Sequence, residues 1–86
     1  MTATSHDDVV ELLRYVTCVL VDETEQVDVT SNTQEDGSIA LKLRVADSDI
    51  GKVIGKQGRT ARALRNLVSA AATQRGLDVN VEFVDA

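Results

Sequence analysis

Every second residue of the stretch 39–45 is apolar: Ile39, Leu41, Leu43 and Val45 alternate with Ala40, Lys42 and Arg44. Successive side chains of a strand point to opposite faces, so this run demands a β-strand with one buried and one wet face. Such a strand cannot stand alone. It needs partners in its own plane and a layer to cover its apolar side. Upstream, Val27 and Val29 alternate with Asp28 and Thr30, which predicts a shorter strand. Residues 32–37 supply a polar turn between the two, with Asp36-Gly37 as the hairpin signal. Downstream, Val79, Val81 and Phe83 alternate with Asn80 and Glu82, a third strand.

The covering layer comes from helices. Val9, Leu12, Leu13, Val16, Val19 and Leu20 recur at three- and four-residue steps, predicting an amphipathic helix over residues 7–22. Residues 1–6 have no periodicity and are expected to be flexible; Ser5 and Asp8 form a weak capping pair beside them. A short second helix carries Ile50, Val53 and Ile54 on one side, with Asp47, Ser48 and Asp49 as caps. It breaks at Gly55-Lys56-Gln57-Gly58, and a long helix follows over 59–75 until Gly76 stops it. On that helix Leu64, Leu67, Val68 and Ala71 share one side, while Arg59, Arg62, Arg65, Asn66 and Ser69 share another. The order α-β-β-α-α-β predicts an α+β fold, a three-stranded sheet covered on one face by helices. At 86 residues there is room for one domain, expected over 7–86. Tyr15 and Phe83 are expected in its core, and Cys18 as a small buried hydrophobe.

Several functions are excluded by what the chain lacks. A single cysteine and a single histidine leave no internal disulfide, no multi-cysteine metal site and no histidine-driven triad. No paired carboxylates or activated nucleophile stand out, so no enzyme and no cofactor is expected. The opening residues lack a secretory pattern and no apolar run approaches membrane-spanning length, which makes a cytoplasmic protein the expectation.

A net charge of −5 argues at first against a polyanionic partner, but the average conceals a division. Residues 1–41 hold one base against nine acids, residues 42–75 eight bases against two acids, and residues 76–86 three acids and no base. Residues 52–77 contain no acid at all. Charges separated by more than the Debye length, about 8 Å at physiological salt, are largely screened from one another, so the basic block acts locally.

That block surrounds Ile50-Gly51-Lys52-Val53-Ile54-Gly55-Lys56-Gln57-Gly58-Arg59. Two glycines three apart let the backbone turn tightly and approach another molecule closely, and the helix that begins there points its positive end at the loop. Lys56 supplies a mobile charge, Gln57 a neutral donor and acceptor, and Arg59 a planar fork. Lys52, Arg62 and Arg65 extend the positive surface, and Ile50, Val53 and Ile54 offer an apolar floor on which an unstacked base would rest. A nucleotide-binding P-loop does not fit, because Gly51 and Gly55 are too close and Gln57 stands where a hydroxyl is needed. Spacing alone leaves a purely structural corner open; five bases between Lys52 and Arg65 argue against it, since a corner needs only the glycines. Ile50, Val53 and Ile54 stay open between core and groove.

These residues carry a resemblance. The run Val53-Ile54-Gly55-Lys56-Gln57-Gly58-Arg59 resembles the signature of KH domains, whose Gly-x-x-Gly loop clamps the backbone of about four single-stranded nucleotides. The element order is similar to the bacterial type II KH topology, and almost the whole chain resembles the bacterial single-KH-domain RNA-binding proteins of the KhpA family. The resemblance implies that Gly55 and Gly58 shape the loop and that Lys56 and Gln57 approach phosphates. Arg59, with Lys52 and Arg62, would add charge, and Ile50, Val53 and Ile54 would line a groove facing part of the second strand. It further implies single-stranded RNA as partner, a role as RNA chaperone or post-transcriptional regulator, and a homodimer or a heterodimer with a KhpB-like KH protein. An alternative is a protein-interaction module whose main task is that pairing.

Overall fold

The strand at the centre of the sheet is the one whose alternation is clearest. The structure, a computed structural model, describes residues 5–84, and in it β2 (Ile39–Arg44) lies between β1 (Asp28–Thr33) and β3 (Val79–Phe83). β1 and β2 are antiparallel, pairing Asp28 with Arg44 through to Thr33 with Ile39. β2 and β3 are parallel, pairing Ile39 with Val79 through to Leu43 with Phe83. A parallel pair needs a long crossover, and α2 (Ile50–Ile54) and α3 (Arg59–Gln74) supply it. Preceding them all is α1 (Ser5–Leu20), joined to β1 through a single 3₁₀ turn at Thr24–Gln26. The α+β fold with the order α-β-β-α-α-β is the one expected.

All the helices cover one face. Ile39, Leu41 and Leu43 of β2, with Val29, Val79 and Val81 beside them, are buried against Val9 and Leu13 of α1, Val53 of α2, and Leu64, Val68 and Ala72 of α3. The opposite face carries Asp28, Thr30, Lys42, Arg44 and Glu82 around a shallow hollow and stays open to water. Among the described residues no helix is long and apolar enough to cross a membrane.

Boundaries and helix rotations depart from the sequence reading in instructive ways. α1 starts at Ser5 and ends at Leu20 rather than running over 7–22, so of the residues 1–6 expected to be flexible, Ser5 and His6 are helical and residues 1–4 lie outside those described. β1 extends to Thr33 because an edge strand pairs through its backbone and needs no apolar side chain there; the turn shrinks to residues 34–38. Within it Gly37 adopts φ +90°, and Asp36 accepts hydrogen bonds from the Ser38 hydroxyl (2.6 Å) and N–H (2.9 Å), which hold its carboxyl below the usual carboxylate range.

The buried line of α1 is Val9, Leu13 and Thr17, at strict four-residue steps. Each helical residue turns about 100°, so this line rotates Tyr15 and Val19 outward. Tyr15, expected in the core, is 70% exposed, and Val19 is 69% exposed. Thr17 takes the core position instead, and its Oγ1 has no hydrogen-bond partner among the described residues. In α3 the small residues Ala61 and Ala72 join Leu64 and Val68 on the packed face, which leaves Leu67 43% exposed and Ala71 half-buried. Cys18 is half-buried against the core rather than enclosed, and Phe83 is half-buried.

Candidate nucleic-acid interface

α2 ends where its chain must reverse without a side chain. Gly55 has φ 76° and ψ 177°, a conformation open essentially to glycine alone. A Cβ there would also lie 2.3 Å from Thr60 Oγ1, so the residue is forced twice, by torsion and by space. Gly58, at φ 75° and ψ 16°, is forced by torsion only, since a Cβ would meet open space. Between them Gln57 is held at φ 57° and ψ 26°, the left-handed region, at a cost of about 1 kcal/mol. Three hydrogen bonds hold the bend: Gly55 N–H to Gly51 C=O at 2.9 Å, Gly58 N–H to Gly55 C=O at 3.2 Å, and Arg59 N–H to Lys56 C=O.

What the bend leaves over is its chemistry. The N–H groups of Lys56 and Gln57 have no partner among the described residues, and both side chains are exposed. Successive amides in left-handed and turn conformations form a concave anion-binding surface. The positive end of α3 adds to it, and the first turn of α3 contains no acid. Arg59 and Arg62 are exposed on the same flank of α3, followed by Arg65, Asn66 and Ser69.

That flank leads to the free edge of β3. Ile39 N–H bonds to Asp78 C=O and Val84 N–H to Leu43 C=O, so even-numbered residues of β3 point toward β2 and odd-numbered ones point away. Val81 C=O therefore faces outward, where Arg65 Nε donates to it at 3.3 Å. The same guanidinium lies over the Phe83 ring, 5.0 Å from its centroid. Arg65, Asn66, Ser69, Val79, Asn80 and Val81 line a hollow of about 260 Å³.

Two of the expected site residues, and the expected groove, sit differently from the reading of the sequence. Val53 is 2% exposed and belongs wholly to the core, so it cannot line a groove; Ile50 and Ile54 are half-buried and keep some surface. The polar flank of α3 runs beside β3, at the edge of the sheet, and not beside the central β2. Lys52 is not a free cation. Its Nζ bonds to Asp22 Oδ2 and lies 3.4 Å from Asp49 Oδ1, and the Asp22 bond above all raises its pKa.

Asp49 stands at the N-cap position of α2 but makes no capping hydrogen bond to it. It is 1% exposed, and its carboxylate accepts the N–H of Glu23 at 2.9 Å and of Asp22 at 3.3 Å, fastening the loop after α1 to the start of α2. Those bonds, the Glu23 bond first, hold its pKa below the usual carboxylate range against the opposing effect of burial. The site thus gathers Gly55, Lys56, Gln57, Gly58, Arg59 and Arg62, excludes Val53, and ties Lys52 down. Sequence reasoning placed Arg65, Asn66 and Ser69 on one helical side but missed the strand edge they meet.

Comparison with known proteins agrees with this geometry. Residues 10–83 match the family described as "KhpA/KhpB, KH domain". The chain is 48% identical over 75 residues to the RNA-binding protein KhpA of Treponema pallidum, which covers 87% of this chain and 92% of that protein. It is 44% identical over 75 residues to the RNA-binding protein KhpA of Halalkalibacterium halodurans, covering 86% and 96%. For the RNA-binding protein KhpA of Bacillus subtilis the identity is 44% over 75 residues, covering 87% and 91%. With a glycine-framed loop between two helices, a parallel crossover onto β3, and likeness spanning nearly the full sequence, the chain belongs to the KhpA/KhpB family of KH domains.

Proposed function

We propose that this protein is a non-catalytic, cytoplasmic RNA-binding protein that grips short single-stranded RNA at the Gly55-Lys56-Gln57-Gly58 loop and acts as an RNA chaperone or post-transcriptional regulator. The observation that carries the reading is the pair of unpartnered amides at Lys56 and Gln57, presented by a strained loop in a stretch without acids. Gly55 and Gly58 set the backbone, and the Lys56 and Gln57 amides and side chains meet phosphate. Arg59 and Arg62 add charge along α3, and the exposed parts of Ile50 and Ile54 support a base. Relatives named RNA-binding proteins support the same reading. The test is Lys56→Asp combined with Gln57→Asp, measured by fluorescence anisotropy on a labelled single-stranded octamer, with circular dichroism to verify folding. Affinity should fall about tenfold or more, because two carboxylates then face the phosphates. Undiminished binding by a folded variant would overturn the site.

A second reading, pairing with another copy or with a KhpB-like KH protein, is favoured by a separate feature. Asp8 Oδ2 lies 3.5 Å from Arg75 Nε, so the start of α1 meets the end of α3 and the two helices run antiparallel. At 1.5 Å per residue, Tyr15 and Leu67 then sit level with each other, and Val19 follows Tyr15 one turn on. Tyr15→Glu with Val19→Glu should leave a folded monomer by sedimentation velocity where the parent chain forms a dimer; a parent chain that stays monomeric at high concentration would rule out the homodimer.

A further inference from the structure

Arg65 stands apart from the other bases of α3. Arg59 and Arg62 are exposed cations without a hydrogen bond or ion pair among the described residues, whereas the Arg65 guanidinium is oriented by two contacts from β3. Its Nε is committed to Val81 C=O, and its plane rests over Phe83. A guanidinium has two edges that donate in pairs, Nε with one Nη, and the two Nη groups together. With Nε engaged, the Nη pair remains, and it has no hydrogen-bond partner among the described residues. The side chain lines the hollow between α3 and β3 together with Asn66, Ser69 and Val81. Arg65 is seven residues from Gly58, about 10 Å along the helix. A strand held at the loop and running along the cationic flank therefore passes it.

Resting on the RNA-binding reading above, we infer that Arg65 is the base-selecting residue of this site and favours bases that offer two adjacent acceptors. The Nη pair donates only, so it needs two acceptors side by side. Guanine offers O6 and N7, and cytosine offers O2 and N3. Adenine sets an amino donor beside N7, and uracil sets an N–H between its two carbonyls, so neither satisfies both donors. Unstacked bases of a single strand expose these edges, which duplex RNA hides. Because the fork is positioned before RNA arrives, little ordering entropy is lost when it is used. Asn66 and Ser69, lining the same hollow, carry both donors and acceptors and so do not impose the rule.

The test compares four labelled octamers by fluorescence anisotropy: oligo-A, oligo-U, oligo-A with two central guanines, and oligo-A with two central cytosines. The parent chain should bind one or both of the last two about tenfold more tightly than oligo-A and oligo-U, and the comparison of guanine with cytosine identifies which edge is read. Arg65→Lys keeps the charge but not the fork; it should abolish the preference. Arg65→Met removes both and should abolish the preference too, with thermal unfolding measured for each variant. Equal binding of all four octamers by the parent chain, a preference for oligo-A or oligo-U, or a preference that survives in Arg65→Lys would overturn the inference. The Lys56→Asp, Gln57→Asp chain separates this from the reading beneath it. That variant should lose affinity for all four octamers alike, and if it loses none, the loop reading fails instead.

Discussion

The two ends of α2 are built on opposite terms. At its start, Asp49 takes two backbone N–H groups from the loop after α1, and Lys52 closes the cluster by bonding to Asp22 and Asp49. The Asp49 carboxylate and the Lys52 ammonium there have both found partners within the fold. At its end, the Gly55-Lys56-Gln57-Gly58 loop spends left-handed torsions at three of its four residues and leaves two amides and a lysine unanswered. Two lysines four residues apart on one short segment therefore have different roles: Lys52 holds the molecule together, and Lys56 is free to meet something else. The presence of a charge does not mark a site. A charge or amide that the fold leaves unsatisfied, in reach of solvent, does.

The largest effect that would test this contrast is on the loop backbone. Gly55→Ala must relieve a 2.3 Å approach to Thr60 Oγ1 in a torsion alanine avoids, and should lower stability by about 2–4 kcal/mol in chemical denaturation. Gly58→Ala meets open space and should cost only about 1 kcal/mol. Equal costs would mean that the two glycines do not differ as described.

The clasp at the other end should respond to acid. Because the Asp49 pKa is lowered in the fold, its ionised form stabilises the protein above the unfolded carboxylate pKa, near 3.8, and that contribution fades as pH falls through the folded value. The stability difference between the parent chain and Asp49→Asn should be constant above about pH 5 and shrink below about pH 4. RNA affinity of Asp49→Asn at neutral pH should stay near that of the parent. A difference that persists unchanged at pH 3 would mean the carboxylate charge is not what fastens the loop.

Smaller, and more pointed, is the comparison of the two lysines. Lys56→Ala should weaken binding to single-stranded RNA about threefold and reduce the slope of log affinity against log salt by about 0.7. Lys52→Ala should leave that slope unchanged while lowering the melting temperature. Exchanged outcomes would reverse the assignment of the two residues.

Thr17 gives the least dramatic test. Its hydroxyl is also unsatisfied, but it is buried under α1 where no ligand reaches. Thr17→Val should stabilise the protein by about 1 kcal/mol without altering RNA affinity, as expected of a polar atom that serves no partner. A loss of stability would mean that the hydroxyl has a role within the core.

Much of this was legible in the residues alone. The alternation around Leu41 and Leu43 required a half-buried strand, and Gly76, at φ +73°, stands two residues past the end of α3 as a helix stop should. The loop glycines and their charged neighbours were legible too, because torsion and local charge are properties of short stretches. What was not legible depends on distance along the chain. Lys52 reads as a free cation until the fold brings up Asp22, thirty residues earlier. Val53 reads equally as floor or core until α3 packs over it. Tyr15 changed sides because Thr17, not Val19, lies on the packed line of α1, a rotation that apolar content alone does not decide. The edge of β3 beside Arg65 follows only from the parallel crossover, which sets β2 in the centre and turns Val81 C=O outward.

The most direct measurement is an amide chemical-shift titration of the folded protein with a single-stranded octamer. The account predicts the largest changes at the N–H groups of Lys56, Gln57, Gly58 and Arg59, with Asp22, Glu23 and Asp49 unmoved. Changes centred on the clasp, or on Lys42, Arg44 and the open face of the sheet, would contradict it.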